Sequence, residues 1–424
     1  MIVRATGTSI TGMGILSSIG DSVPAFCDSL RTGRAGFDRV GSDQSDLAVE
    51  VAAKLKGFSF LESLKRMDGI SETTFRKAKR IGQRAPFSVQ VAILSALEAW
   101  YMAGLFERRP PSERIGIIVA GQNTSQNHQC GLFPRFLENP EYLSPHYGLE
   151  FFDSNHIGVL SELFDIHGEG LVVEGAGATG NLALIKAWQA VNTGLLDACL
   201  VAGIVADPSP MDVQGFFAMG AMGNRKFSGQ PDKACRPFDS QHEGFIYGQA
   251  GACVVLESRA SIARRDAPIF ATVKSGAIYL DGNSSSNPSV DGETAAMLMA
   301  IYDSGLPLSK IDYINAHGSS SPLGDNTELA AIRAVFGELA PQIWINATKG
   351  LTGHCLQSAG LVEIIATVLQ MREGFIHANR NLEAPIDSGL RFTGPNAVEA
   401  RVETAMSNSF GFGGINSSVV LSRD

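Results

Sequence analysis

No two of the six cysteines form a C-x-x-C pair, and their positions (27, 130, 199, 235, 253 and 355) follow no disulfide-framework spacing. That excludes a disulfide scaffold and a cysteine-built zinc site. Cys199 and Cys253 lie in apolar runs and read as small buried residues of a reduced, cytoplasmic protein. Histidines 128, 146, 156, 167, 242 and 377 show no metal-ligand spacing such as H-E-x-x-H, so no metal is expected. No apolar run approaches the length of a bilayer span. The opening MIVRATGTSITGMGILSSIG has neither a basic n-region nor a continuous apolar h-region. Positive charge is scarce: 34 Lys and Arg face 43 Asp and Glu, a formal net charge of −9, which argues against general nucleic-acid binding. There is no strict short repeat, low-complexity tract or long charge block.

What the chain does contain is apolar material in short runs. Of 424 residues, 44% are hydrophobic and 18% charged, enough to build a large core. The near-continuous runs Arg114–Gly121, Ala198–Ala206, Gly251–Ser258, Ile311–Gly318 and Gln342–Gly350 suit strands buried on both faces. Alternation with helices such as Ala85–Tyr101 and Ser358–Arg372 makes the fold class α/β and layered. The first half, residues 1–258, closes near Glu257 or Ser258; a linker near Ser261–Pro268 leads into the second half, residues 259–424.

LVVEGAGATGNLALIKAWQAVNTG, Leu171 to Gly194, carries G-x-G-x-x-G at Gly175, Gly177 and Gly180, the form of a dinucleotide fingerprint. That site also needs an acidic residue at the end of the following strand to hold the ribose. Asp197 precedes that strand, and Asp207 is followed directly by proline, so the match fails. The helix after Gly180 shows only a narrow polar edge of Asn181, Lys186, Gln189 and Asn192, so it is buried nearly all round and its opening turn lies deep in the molecule.

Three further loops have the composition of a site. INAHGSSSPLGDNTEL sets His317 after a strand and before a hydroxyl-rich turn. NATKGLTGHCLQSAG does the same with Lys349 and His354, and SNSFGFGGINSS turns tightly around Phe412. Loops at the carboxyl ends of strands are where α/β sheets place ligands.

These elements, with TGMGILSSIG at the start and RPFDSQHEGFIYGQAGACVVLE between, occur in the order of the β-ketoacyl-[acyl-carrier-protein] synthases. The chain resembles that condensing-enzyme family over essentially its whole length. The resemblance implies a thiolase-like fold of two pseudo-duplicated αβαβα halves in five layers. It places Gly177 where the family has its nucleophilic cysteine, so that an acyl-enzyme cannot form there. It implies that His317 and His354 hold a thioester oxygen while malonyl loses CO₂. Lys349 and its acidic partner Glu328 are implied to orient and support them, and the backbone N–H groups of Gly177 and the gatekeeping Phe412 to line a second oxyanion pocket. Ser319 and Ser321 stand for threonines that bind the pantetheine arm, and Gly411 and Gly413 flank the gate. Gln249 stands in place of a glutamate, with no consequence that follows from the residues.

The expected activity is therefore conversion of malonyl-carrier to acetyl-carrier in polyketide priming or β-branching. No cofactor is implied beyond the carrier's phosphopantetheine. Arg76, Lys77, Lys79, Arg80 and Arg84 in FRKAKRIGQR would dock the acidic acyl carrier protein, and a homodimer would form through Val172–Glu174. Two other readings stay open: a non-catalytic partner similar to chain-length factors, which generally lack the full His/His/Lys set, and a condensing synthase with its cysteine removed.

Overall fold

The computed structural model describes residues 7–40, 49–223 and 226–423. The apolar runs become two sets of five strands. The first comprises β1 (Thr8–Ser17), β2 (Ile115–Ala120), β3 (Gly170–Val173), β4 (Ala198–Gly203) and β5 (Ala250–Ser258). The second comprises β6 (Ala271–Leu280), β7 (Tyr313–Asn315), β8 (Trp344–Asn346), β9 (Thr404–Gly411) and β10 (Ile415–Ser422). Every residue of β1, β2, β4 and β5 is buried, as continuous apolar runs require.

Within each set, counted in chain order, the spatial order is 1-5-4-2-3. The directions repeat as well: the first two junctions are antiparallel and the last two parallel in both sets. The chain is thus duplicated in topology without any repeat in its sequence. The sets join through β1 and β6, which pair only from Thr8↔Val273 to Ile10↔Ala271. A two-residue strand, Arg391–Phe392, extends the far edge beyond β8.

Eight helices matter to the site: α1 (Glu72–Gly82), α2 (Phe87–Met102), α3 (Gln126–Glu138), α4 (Asn155–Phe164), α5 (Thr179–Asn192), α6 (Val290–Ser304), α7 (Pro322–Phe336) and α8 (Ala359–Glu373). Helices α2 and α4 cover the outer face of the first set, and α6 and α7 that of the second. Helices α5 and α8 lie between the two sets, touching both, which completes five layers.

The duplication reaches into the turns that open these central helices. Ala176 and Leu356 have φ of +49° and +50°, each begins a single 3₁₀ turn, and each lies four residues before a glycine, Gly180 or Gly360. There the helices cross with backbones in contact. A Cβ on Gly180 would sit 2.7 Å from the Leu361 nitrogen, and one on Gly360 would sit 2.6 Å from the Asn181 nitrogen. The last glycine of the apparent dinucleotide motif therefore serves close helix approach.

Three expectations need correction. Asn181 does not belong to the polar edge of α5; it is fully buried, and its Nδ2 donates to the Ser407 carbonyl across the sets. The segment Ser261–Pro268 is no loose linker, because residues Arg259–Arg265 form a helix whose Arg265 reaches back to Glu257 (Nε to Oε2, 2.9 Å). Strands β7 and β8 are only three residues long, shorter than their apolar runs. Beyond Ala316, whose N–H still donates to the Asn346 carbonyl (2.9 Å), the chain leaves the ladder: the N–H groups of His317 and Gly318 donate to the Glu328 carboxylate (2.9 and 2.8 Å) instead of to a strand.

Candidate active site

A cavity of about 600 Å³ opens at the carboxyl ends of these strands. Its wall brings together Gly177, His317, His354, Ser319, Ser321, Gly411 and Phe412, contributed by both halves. Gly177 follows the strained Ala176, so the turn aims position 177 into the cavity. A Cβ built there would lie 3.4 Å from His317 Cε1 and 3.5 Å from His354 Nε2. It would also lie 2.6 Å from the Phe410 carbonyl oxygen, too close for any side chain without backbone movement. A residue at 177 would therefore address both imidazoles, and glycine supplies nothing to do so.

The rings of His317 and His354 are 5.4 Å apart, centroid to centroid, at 79°. Hydrogen bonds fix the tautomer of each. The Leu356 N–H donates to His354 Nδ1 (3.0 Å), and the Lys349 ammonium donates toward His317 Nδ1 (3.3 Å). With Nδ1 an acceptor in both rings, the proton of each neutral imidazole is on Nε2. Neither Nε2 has a hydrogen-bond partner among the described residues, and both rings line the cavity. Burial, followed by the Lys349 charge, pushes both imidazoles well below their ordinary value, with His354 adding to the effect on His317. The arrangement is a pair of neutral N–H donors converging on one small volume. Phe410 and Phe245 wall it in, 5.8 Å from the His317 ring and 5.2 Å from the His354 ring.

Behind the rings the charges differ from the sequence expectation. Lys349 is buried (1% exposed) and pairs with Glu363, not with Glu328; it also donates to the His317 carbonyl (2.6 Å). Glu328 holds the backbone N–H groups of His317 and Gly318 and accepts from Asn408 Nδ2 (3.2 Å), so it shapes the histidine loop rather than neutralising the lysine. Burial raises the carboxyls of both Glu328 and Glu363 to about 7. Glu363 lies in the apolar stretch AGLVEIIATVLQM, where a single acid in a buried helix is the signal that would have found it.

Ser319 and Ser321 bond to one another (2.9 Å), and Ser321 also caps α7, accepting from the Gly324 N–H. Gly413 does not line the cavity. With φ of +81° it closes the turn after Phe412, and its N–H donates to the Ser285 carbonyl (3.1 Å). Cys355, beside His354, is buried, its thiol is pushed up to about 12, and its sulfur faces the Thr352 and Gly353 carbonyls, so it cannot replace a nucleophile at 177. Helix α1 lies outside the cavity. Its Arg76, Lys79 and Arg80 are exposed and Lys77 half-buried; Arg76 pairs with Glu72 (2.6 Å) and Arg80 with Glu162 (2.5 Å). None of the described residues lining the cavity is Lys or Arg, whereas Asp207, Asp212, Glu243, Asp281 and Glu293 all do so.

The beta-ketoacyl synthase N-terminal domain matches residues 7–261 and its C-terminal domain residues 270–383. The chain belongs to the β-ketoacyl synthase family. Among its β-ketoacyl synthase relatives, the polyketide biosynthesis malonyl-ACP decarboxylase PksF of Bacillus subtilis (strain 168) is 37% identical over 97% of this chain and 95% of its own. The 3-oxoacyl-[acyl-carrier-protein] synthase 2 of Coxiella burnetii is 30% identical, covering 98% of each chain. Among solved structures, the ishigamide ketosynthase/chain length factor superposes with a TM-score of 0.86 at 25% identity, covering 99% of this chain and 100% of that one. The fold is thus the thiolase-like fold of ketosynthases. Among the described residues no helix is long and apolar enough to cross a membrane, and no group of three or more His, Cys, Asp or Glu could hold a metal ion.

Proposed function

We propose that the protein decarboxylates malonyl groups carried as thioesters on an acyl carrier protein, releasing acetyl-carrier for polyketide priming or β-branching. The observation that carries this reading is the pair of Nε2–H donors around a position that has no side chain. When the malonyl carboxylate leaves as CO₂, its bonding electrons pass into the thioester carbonyl and make an enolate. Both imidazoles donate to that oxygen as its charge grows, each such donor contributing about 2.7–4 kcal/mol in comparable oxyanion sites. Solvent protonates the enolate carbon, giving acetyl. Lys349 pins the His317 tautomer, Ser319 and Ser321 receive the arm, and Phe412 closes over it, its backbone N–H and that of Gly177 forming the second oxyanion pocket. Nothing at 177 can hold an acyl group, so condensation has no acyl-enzyme to proceed from. The name carried by the Bacillus relative supports the same chemistry. Malonyl-loaded carrier incubated with the protein is expected to lose the mass of CO₂; an unchanged malonyl mass after long incubation overturns the reading.

The acidic cavity wall gives the substrate's carboxylate no electrostatic welcome, so docking must come from elsewhere on the surface. We assign it to Arg76, Lys77, Lys79 and Arg80 on α1. Reversing charge at Arg76 and Arg80 is expected to raise KM for malonyl-carrier with kcat unchanged and to flatten its salt dependence; an unaltered KM removes α1 from consideration. The homodimer reading is supported by the open edge strand β3, where Leu171 is 42% exposed, and by Phe133, Leu137, Phe151 and Phe152, all more than half exposed on the surface. Native mass spectrometry distinguishes a homodimer active alone from a subunit that needs a second, active synthase.

A further inference from the structure

Glu293 stands in the wall of the same cavity, on α6, and is 1% exposed. Its carboxyl makes no hydrogen bond with a described residue, and Oε2 is a buried oxygen with no partner. The charged groups that face it come from two other elements. Asp281, after β6, has its Oδ1 bonded to Asn416 Nδ2 (2.7 Å) and its own Oδ2 unpartnered. Asp325 and Glu328 come from α7. Asp325 is bonded to His242 Nδ1 (2.8 Å) and to the backbone N–H groups of Phe238 and Ser320, whereas Lys349 is held by Glu363 and no Lys or Arg lines the cavity among the described residues. A carboxyl buried among three others keeps its proton, and burial followed by these neighbours pushes Glu293 well above the carboxylate range. It is then an O–H donor buried in the cavity wall with no acceptor within hydrogen-bond distance among the described residues, a costly arrangement unless a ligand or water supplies one.

The ligand's chemistry follows from the position. Glu293 lines the same cavity as Ser319, Ser321, Phe412 and the two imidazoles, on a helix packed against α7 and β10, and an arm that presents a thioester to those imidazoles must enter that cavity. A pantetheine arm offers amide carbonyls there. We propose that Glu293 is a substrate-binding residue whose carboxyl O–H donates to an amide carbonyl of the pantetheine arm. This inference rests on the carrier-substrate reading above.

The test is equilibrium binding of acetyl-pantetheine, which needs no turnover, followed by NMR titration of wild type, Glu293→Ala and Glu293→Gln, each checked for an unchanged melting profile. Glu293→Ala is expected to weaken binding about tenfold, the effect of losing one hydrogen bond to a buried group. Glu293→Gln keeps an N–H donor and is expected to bind within about twofold of wild type. Wild type is expected to lose affinity at alkaline pH, where the donor ionises, and Glu293→Gln to keep it. S-ethyl thioacetate, which has the thioester and no amide, is expected to bind wild type and Glu293→Ala equally. Unchanged acetyl-pantetheine binding by Glu293→Ala, an equal loss with S-ethyl thioacetate, or the same alkaline loss in Glu293→Gln would each overturn the proposal. Failure of wild type to bind acetyl-pantetheine at all would instead overturn the carrier-substrate reading itself.

Discussion

His354→Ala is expected to cut decarboxylation of malonyl-carrier at least about a hundredfold, and His317→Ala by a similar factor, with little change in KM. Each substitution removes one of two preorganised donors whose effect is felt only as charge develops on the thioester oxygen, so the loss falls on kcat. The double variant should retain no activity above the uncatalysed rate, because no other described side chain presents a donor at position 177. Activity persisting in the double variant would exclude this mechanism. The same rings give a pH signature in stability. Both imidazoles are held neutral, below the value of 6.5 they regain on unfolding, so the unfolded chain binds more protons and stability is lost as pH falls below 6.5. Glu328 and Glu363 act in the opposite sense. Raised from 4.5 to about 7, they bind protons in the fold and weaken it as pH rises from 4.5 toward 7. Removing an imidazole should therefore flatten the acid-side decline in melting temperature while leaving the loss above pH 4.5 in place.

How much of this could be read from the residues depends on what kind of signal each carries. His317, His354, Lys349 and Phe412 lie in loops whose composition departs sharply from the strands before them, and the structure gathers them into one cavity. The buried strands were legible because their apolar runs are continuous, and α5 because its polar residues are few. Local sequence misleads where tertiary contacts override it. Asn181 looks like an edge residue until α8 and β9 close over it. The run after Ile311 looks like a strand until Glu328, eleven residues beyond His317, takes the N–H groups a neighbouring strand would have used. The pairing of Lys349 followed the same rule: two acids were available, and which one meets the ammonium depends on how α8 lies against β8, which spacing does not encode. The duplication, implied by the family resemblance, leaves no repeat in the residues themselves for a related reason. The halves share a path and a strained turn at Ala176 and Leu356, but each side chain on that path packs against a different neighbour.

Glu363→Leu is expected to be among the most destabilising single changes near the site, and more costly than Lys349→Met. Both partners of this ion pair are almost fully buried, so removing either leaves the other without compensation, at a cost of about 3–5 kcal/mol. The two sides are not equivalent. A carboxyl left alone can take up a proton, and Glu363 already sits near 7 with its lysine present. An ammonium left alone must give up a proton it holds far more tightly at neutral pH, or turn to the His317 carbonyl and ring nitrogen. Glu363→Leu should therefore lower the melting temperature by about 3–6 °C, using the entropy of unfolding expected for a chain of this length, with Lys349→Met falling short of that. The double variant Lys349→Met/Glu363→Leu removes both charges at similar volume and should recover most of the loss, a coupling that a thermodynamic cycle measures directly. Recovery of stability should not restore activity. Without the ammonium at Nδ1, the His317 ring is free to place its proton on the wrong nitrogen, and turnover should stay at least about tenfold down in Lys349→Met and in the double variant alike. A double variant that regained both stability and turnover would mean that the pair only holds the fold and that some other contact orients the imidazole.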